Sequence, residues 1–400
     1  DVYKRQPFII SGSIPHPIDA IFETVSGFTT TGASILSDVE ALSHCMLIWR
    51  SFTHWIGGMG VLVFILCLLP LTGAYHMNLM KADSPGPSVS KLVPKVQSTA
   101  KILYTIYIIL TIVEIIFLLI GKMPLFDTLC LSFGTAGTGG FGIKNDSIAS
   151  YSTYNQVVIT VFMILFGINF NAYYLLLTKK VMQAAKNEEV RYYLGIIGLA
   201  IVAIAINTRE MFTSFGRAFQ QAAFQVGSII TTTGYATTDF NVWPVFSKTI
   251  LVILMFVGAC AGSTGGGIKV SRLLILCKSA RKELQLYLHP NAVKKIKMDD
   301  KAIPHEVVRA TNMFLFVYIM IFVTSLLIIS LDNLDMVSNF TAIAATLNNI
   351  GPGLGAVGPT GNFNTYSYIS KGVMIFDMLA GRLEVFPLLL LFKRDTWRKF

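Results

Sequence analysis

Charge is what this 400-residue chain has least of: Asp, Glu, Lys and Arg make up 14% of it, against about a quarter of an ordinary soluble domain. Hydrophobic residues supply 53% and mean hydropathy is +0.61, which excludes a soluble globular domain and points to an integral membrane protein. Cysteine is scarce too. Its five copies, Cys45, Cys67, Cys130, Cys260 and Cys277, are scattered without a C-x-x-C pair, which argues against disulfides and thiolate metal sites and leaves small core residues. The six histidines, His16, His44, His54, His76, His289 and His305, show no H-E-x-x-H or similar spacing, so metal chemistry has no support. No nucleophile and base constellation suggests an intramembrane enzyme.

Apolar stretches are what the chain does have. Runs of roughly twenty such residues, the length a bilayer core demands, occur at Cys45–Leu71, Ile102–Gly121, Val157–Leu177, Tyr192–Asn207, Thr249–Cys277, Phe314–Leu331 and Gly372–Phe392. Four shorter helical stretches, Asp19–Phe28, Phe126–Gly134, Arg217–Ile229 and Val337–Leu347, cannot cross a bilayer and read as re-entrant half-helices. Non-helical backbone survives at membrane depth only where it is buried in protein or lines a watery cavity. The order in each unit is span, half-helix, turn, span. The expected architecture is an all-α membrane protein of four quasi-repeated helix, pore loop, helix units around a central ion pore. The units are placed at 1–72, 99–181, 190–278 and 305–400, with cytoplasmic loops at 73–98 and 279–304. The first unit lacks its opening span, because only Asp1–Ser13 precedes Ile14; the expectation is that the chain starts inside a longer protein. That stretch carries Lys4 and Arg5 without a following h-region, so a signal peptide is not indicated.

Each half-helix runs into a turn: Thr30-Thr31-Gly32, Thr138-Gly139-Gly140, Thr232-Thr233-Gly234 and Asn349-Ile350-Gly351. Counted on Gly32, Gly139, Gly234 and Gly351, the turns recur at roughly hundred-residue intervals. An ion leaving water needs its hydration shell replaced, and a ring of backbone carbonyls does this. Glycine allows the φ > 0 backbone that aims successive carbonyls at one axis. The threonine hydroxyls add further oxygens, and the C-terminal dipole ends of the half-helices favour a cation. The turns carry no ring of Asp or Glu, which favours a monovalent ion. The fourth turn places Ile350 where threonine is expected. A single Thr-Thr-Gly would read as a helix C-cap; four in register read as a selectivity filter.

Basic residues cluster between units. Lys81–Lys101, Lys179–Arg191, Lys269–Arg309 and the tail Lys393–Lys399 hold 22 of the 32 Lys and Arg, while the loops holding the turns are nearly free of positive charge. The positive-inside rule puts the basic loops in the cytoplasm and opens the turns outward. The net charge of +10 is thus a topology signal, and nucleic-acid binding is not indicated. Arg272–Lys301, with its Leu284–Leu288 apolar patch, is a candidate docking surface for a cytosolic partner or anionic lipid, although positive-inside bias alone accounts for the charge.

The turns, with Phe22-Glu23-Thr24-Val25-Ser26-Gly27-Phe28-Thr29 before the first of them and Trp49-Arg50-Ser51-Phe52-Thr53-His54-Trp55-Ile56-Gly57-Gly58-Met59-Gly60 after it, carry a resemblance. So do Gly262-Ser263-Thr264-Gly265-Gly266-Gly267-Ile268-Lys269 and Gly381-Arg382-Leu383-Glu384-Val385-Phe386. Along essentially its whole length the sequence resembles the Trk/Ktr/HKT superfamily of K⁺ transporters, most closely the bacterial TrkH-type subunit. The resemblance implies a K⁺-selective, channel-like uptake protein of the bacterial cytoplasmic membrane. It implies a homodimer whose protomers each hold a pore, and a cytosolic nucleotide-binding regulatory subunit of the TrkA type docking below. No bound cofactor is implied; K⁺ is the cargo. In this superfamily a serine at the first filter glycine goes with Na⁺ permeation, so Gly32 favours K⁺ over a Na⁺ or Na⁺/K⁺ cotransporter. The ion-selective subunit of an ATP-driven pump is a further alternative, one that needs a separate ATPase.

The run Gly258-Ala259-Cys260-Ala261-Gly262-Ser263-Thr264-Gly265-Gly266-Gly267 interrupts the span after the third turn, and so many glycines break a helix. Close packing through small residues is one explanation. The other, implied by the resemblance, is an intramembrane gate formed by Gly262, Gly265, Gly266, Gly267, Lys269 and Arg382, preferred because packing motifs rarely need three consecutive glycines. A phosphate loop is excluded, since Ile268 holds the lysine position of that motif and no strand precedes it. Arg382 reads either as a structural pair, for instance with Glu384, or as a positive charge beside the gate. Taken alone, Lys269 reads as an interfacial anchor. Glu114 reads as a hydrogen-bonded structural carboxylate, being far in sequence from every turn. Arg50 and His54 share one helix face, which fits packing at a helix end better than proton coupling.

Overall fold

The computed structural model describes residues 6–60, 96–290, 295–383 and 385–390. Most of the loop at 73–98, the second half of the Cys45–Leu71 span, Cys67, His76, Glu384 and the basic tail lie outside the described residues.

The chain is nearly all helix. It begins with α1 (Gln6–Ile10), α2 (Pro17–Phe28) and α3 (His44–Gly58). Then come α4 (Val96–Ile120), α5 (Leu125–Gly137), α6 (Thr153–Phe166), α7 (Phe170–Leu177) and α8 (Val181–Ala185). Helices α9 (Glu188–Asn207), α10 (Phe215–Ile230), α11 (Val245–Val257) and α12 (Val270–Leu288) follow. After a two-residue hairpin, β1 (Lys297–Met298) and β2 (Lys301–Ala302), the chain ends in α13 (His305–Ile329), α14 (Met336–Leu347), α15 (Tyr368–Arg382) and α16 (Val385–Leu390).

Helix starts follow local chemistry. Ser152, Asn187, Ser214, Asp335 and Ser367 each accept a backbone N–H of the following first turn through their side chains, satisfying donors that a helix otherwise leaves orphaned. Three described helices are long and apolar enough to cross a membrane, at Ala100–Ile120, Glu188–Asn207 and His305–Asp332. Their outward faces carry exposed Ile112 and Ile116 on α4, Leu199 and Ile206 on α9, and Phe316 and Leu327 on α13. These would be costly in water and suit acyl chains.

The short helices α2, α5, α10 and α14 form the inner layer. The packing is cyclic: α3 lies on α5, α6 on α10, α11 on α14, and α15 returns to α2. Each helix that follows a turn therefore supports the short helix of the next turn, and the last supports the first.

One span differs from expectation. Val157–Leu177 is continuous apolar sequence, yet α6 and α7 meet at 90° across Gly167-Ile168-Asn169. Asn169 caps α7 by accepting the Asn171 N–H at 2.9 Å, and carbonyls freed at the break are met from elsewhere: Gly167 O accepts from Cys260 N at 3.1 Å and Phe166 O from Thr264 N at 3.4 Å. The partner of this break is a segment nearly a hundred residues away. Thr249–Cys277, which the glycine run is expected to interrupt, is two helices, α11 and α12, separated by a loop over 258–269.

Candidate functional site

The four inner helices end in the same way. Thr30 N–H donates to Gly27 O at 3.2 Å and Thr31 N–H to Ser26 O at 2.9 Å; the equivalent pairs are Thr138 to Thr135 and Gly139 to Gly134, Thr232 to Ile229 and Thr233 to Ser228, and Asn349 to Thr346 and Ile350 to Ala345. This is the paired bond pattern of a Schellman cap, whose left-handed residue is usually glycine. Here that residue is Thr30, Thr138, Thr232 or Asn349, at φ 55, 53, 60 and 56°. A branched side chain in that region costs roughly 1–3 kcal/mol per position. Such strain, repeated at three threonines, is the kind that accumulates at functional sites.

Two residues further on the backbone turns left-handed again, at Gly32, Gly140, Gly234 and Gly351 (φ 75, 77, 82 and 96°). At these four positions glycine is obligatory for a second reason. A Cβ on Gly32 would stand 2.1 Å from Gly139 O, on Gly140 1.9 Å from Thr233 O, on Gly234 2.0 Å from Ile350 O, and on Gly351 2.8 Å from Thr31 O. Each turn thus abuts a main-chain oxygen of the next, and the fourth abuts the first. The four turns close a ring.

This geometry corrects the register read from sequence. The second-turn glycine equivalent to Gly32, Gly234 and Gly351 is Gly140, while Gly139 matches Thr31, Thr233 and Ile350. Ile350 therefore does not replace a threonine common to the other turns; the threonine position of the fourth turn is held by Asn349. The spacing Thr/Asn-x-Gly, common to all four, carries that alignment.

On one side the ring opens into a cavity of about 210 Å³ lined by all four glycines. Its described lining contains Arg50 and Lys144 and no Asp or Glu. Arg50 is neutralised from behind: Nη2 donates to Glu23 Oε1 at 2.7 Å and Nε to the same oxygen at 3.0 Å, in a pair that is almost wholly buried. Glu23 also accepts from Ser34 Oγ and Ile35 N–H, so the pair staples α2, α3 and the segment after the first turn. His54, one turn along α3, bonds Gly27 O through Nδ1 at 2.8 Å and accepts Phe141 N–H on Nε2 at 3.3 Å. Both ring nitrogens are committed to backbone, which specifies the Nδ1–H tautomer and makes His54 a tie between the first and second turns.

Comparison with known proteins fits this arrangement. The family model TrkH, described as a cation transport protein, matches residues 4–398. The chain belongs to the TrkH family. It is 38% identical over 399 residues to "Trk system potassium uptake protein TrkH" of Salmonella typhimurium, covering 98% of this chain and 82% of that protein. It is 34% identical over 390 residues to "Trk system potassium uptake protein TrkG" of Escherichia coli K12, covering 95% and 79%. The crystal structure of the potassium transporter TrkH from Vibrio parahaemolyticus superposes with a TM-score of 0.86 at 35% identity, over 99% of this chain and 82% of that one. Membership in the TrkH family also makes the chain an integral membrane protein of the bacterial inner membrane.

On the opposite side of the ring from the cavity, this TrkH-family chain carries the 258–269 loop. Gly266 N–H donates to Thr232 Oγ1 at 2.6 Å. A Cβ on Gly266 would lie 2.5 Å from Asn348 O and one on Gly265 2.9 Å from Thr231 O, so bare backbone lies directly against the inner ends of the third and fourth turns. Arg382, buried at the end of α15, donates to Thr264 O at 2.8 Å through Nη1, and through Nη2 to Gly57 O at 2.5 Å and Gly58 O at 2.7 Å. It thereby joins the loop to the end of α3 on the first unit.

Lys269 is fully buried at φ 69°, and its Nζ donates to Gly265 O within the loop; it is not an interfacial anchor. The local sequence misleads because a break in the span turns the lysine inward. Glu114 also differs from the sequence reading: it is fully buried near Thr135 of α5 and Tyr235, the residue after Gly234, and neither carboxylate oxygen has a hydrogen-bond partner among the described residues, since the Thr135 hydroxyl donates to Leu131 O, so it is not the hydrogen-bonded carboxylate expected.

Of the sequence-derived residues, Thr30, Thr31, Gly32, Thr138, Gly139, Thr232, Thr233, Gly234, Asn349, Ile350 and Gly351 meet in the ring, and Gly262, Gly265, Gly266, Gly267, Lys269 and Arg382 meet around the loop. Sequence reasoning took Gly139 rather than Gly140 as the key glycine of the second turn, and missed the Glu23–Arg50 pair and Glu189. Only Gly140 had a signal that could have found it, the shared Thr/Asn-x-Gly spacing.

Proposed function

We propose that this chain takes up K⁺ through a four-turn carbonyl filter, with the 258–269 loop as its gate. The observation that carries the reading is the ring: four left-handed Thr/Asn-x-Gly turns, each in contact with a main-chain oxygen of the next, at the negative C-terminal ends of four short helices. Neutral oxygens in such a ring replace the hydration shell of a monovalent cation. The potassium-uptake names of the relatives at 38 and 34% identity support K⁺ as the ion. Gly32, where a serine would accompany Na⁺ permeation, supports K⁺ over Na⁺ cotransport.

In this reading an ion enters from the cavity, is dehydrated between Gly32, Gly140, Gly234 and Gly351, and passes the hydroxyls of Thr30, Thr138 and Thr232 before meeting the loop. Arg382 contributes a fixed positive charge at that depth and holds Thr264. Opening consists of withdrawing the loop from under the third and fourth turns. No bound cofactor is needed, and transport rather than catalysis is the activity.

The basic segment Arg272–Lys301 is cytoplasmic in this orientation. The "Trk system" names point to a multi-component assembly, so the reading includes a homodimer and a cytosolic nucleotide-binding regulatory subunit of the TrkA type, with the membrane lipid around them. Uptake of ⁸⁶Rb⁺ by proteoliposomes holding the purified protein tests the function: K⁺ and Rb⁺ should compete with the tracer and Na⁺ should not. Equal competition by Na⁺ would overturn the K⁺ filter.

A further inference from the structure

The loop is held at its ends by one carboxylate that the ring does not use. Glu189, in the first turn of α9, is 4% exposed. Its Oε1 accepts the Ala261 N–H at 2.7 Å and the Ser271 N–H at 3.1 Å, while Oε2 accepts from Asn169 Nδ2 at 3.4 Å. Ala261 lies on the outgoing limb of the loop and Ser271 in the first turn of α12, just beyond its return. One side chain therefore spans the neck of the loop and, through Asn169, the break between α6 and α7.

The neck itself is closed by backbone. Val270 N–H donates to Ala259 O at 3.1 Å, and a Cβ on Gly258 would stand 2.7 Å from Gly266 O and 3.0 Å from Gly267 Cα. Phe170 N–H donates to Gly262 O at 3.0 Å, so the break and the loop exchange hydrogen bonds on either side of Asn169. With one donor each from the loop, from α12 and from the α6–α7 break, Glu189 connects all three through a single carboxylate, and hydrogen bonds to ionised groups exceed neutral ones.

The same helix end faces outward through the neighbouring residues. Asp299, in the hairpin turn with both central residues left-handed (φ 50 and 61° at Asp299 and Asp300), accepts the Glu188 N–H at 2.7 Å and Asn187 Nδ2 at 3.2 Å. Lys278 of α12 pairs with the Glu188 carboxylate and donates to Lys297 O at 2.8 Å. The first turn of α9 is thus fastened on its inner side to the loop and on its outer side to an exposed hairpin.

We propose that Glu189 is the positioning residue that keeps the loop under the ring, and that the Asp299 hairpin sets the position of Glu189 from the protein surface. The proposal rests on the loop acting as a gate, but its primary readout does not require conduction. Cys260 is wholly buried beside the neck, so its reaction with a small membrane-permeant methanethiosulfonate, mapped by mass spectrometry, reports loop release directly.

The expected result for Glu189→Ala is Cys260 labelling roughly tenfold faster, the opening that corresponds to losing one charge-assisted hydrogen bond, with higher ⁸⁶Rb⁺ flux and an unchanged Rb⁺ to Na⁺ ratio. Glu189→Gln, which keeps an acceptor oxygen for Ala261 and Ser271, should restore near-parental labelling; a purely structural carboxylate would lower stability without exposing Cys260. Asp299→Ala, on an exposed turn, should fold normally and speed labelling to a smaller extent. A folded Glu189→Ala protein with parental Cys260 labelling overturns the proposal. If that variant does not fold, parental labelling in Asp299→Ala overturns it instead. Faster labelling without a rise in flux would support the positioning role and count against the loop as gate, which keeps the two failures distinct.

Discussion

Gly140→Ala is the substitution that the ring geometry constrains most tightly. At φ 77° an alanine costs about 1–2 kcal/mol, and its Cβ would stand 1.9 Å from Thr233 O and 3.0 Å from Thr233 C. Ordinary contact begins at 3.4 Å, so the third turn must retreat by about 1.5 Å. Nothing soft absorbs this, because the clash is backbone on backbone and Thr233 N–H is tied to Ser228 O at 2.8 Å. A change of about 1.4 kcal/mol in ion preference is a factor of ten; strain and displacement together, about 2–3 kcal/mol shared between stability and coordination, give a fall of about tenfold in Rb⁺ over Na⁺ selectivity and a melting temperature lower by a few degrees. The assay is ⁸⁶Rb⁺ uptake in proteoliposomes with Na⁺ competition, run beside Gly142→Ala. Gly142 lies in the same segment, has no left-handed φ, and its Cβ would meet nothing closer than 3.4 Å, so that variant should match the parent. Parental selectivity and stability in Gly140→Ala would refute the ring as the selective element and with it the assignment of Gly140 to the ring.

Arg382→Ala removes donors from Thr264, Gly57 and Gly58; flux should rise and stability fall by about 3 kcal/mol, read by the same uptake assay and by thermal melts. His54→Ala leaves the Phe141 N–H unpaired and removes one of the two donors to Gly27 O, which still accepts from Thr30 N–H, and should destabilise by about 1–3 kcal/mol, whereas flux in the parent should not track His54 protonation, since its Nε2 is already an acceptor. Native cysteines test the orientation: Cys45 and Cys277 are both exposed, and in intact cells an impermeant maleimide should label Cys45 and reach Cys277 only after permeabilisation, with Cys45→Ser abolishing the outside signal. Asp335 caps α14, and the Ser338 side chain, followed by its N–H, holds that carboxyl below the usual 3.8. Its stabilisation is therefore present above about pH 4 and lost as pH falls through the lowered folded-state value; Asp335→Ala should cost about 1 kcal/mol between pH 5 and 8, and the difference from the parent should shrink progressively as the medium is acidified below 3.8.

By itself the sequence determined the class, the count of turns and most of their residues. Few charges and long apolar runs leave a bilayer as the only solvent, and half-helices too short to cross it need a turn at membrane depth, so Thr30 to Gly32, Thr232 to Gly234 and Asn349 to Gly351 were legible as local chemistry. Tertiary structure decided what depends on contact between distant segments. Gly140 rather than Gly139 joins the ring because the clash that demands glycine comes from Thr233, on the next turn. Val157–Leu177 breaks because the 258–269 loop supplies donors to the carbonyls of Phe166 and Gly167, which no local pattern records. Lys269 is buried and Glu114 stands behind a turn for the same reason: a side chain's environment is set by the helices packed around it, and a carboxylate such as Glu189 gains its role from backbone N–H groups at Ala261 and Ser271 that only folding brings within 3.1 Å.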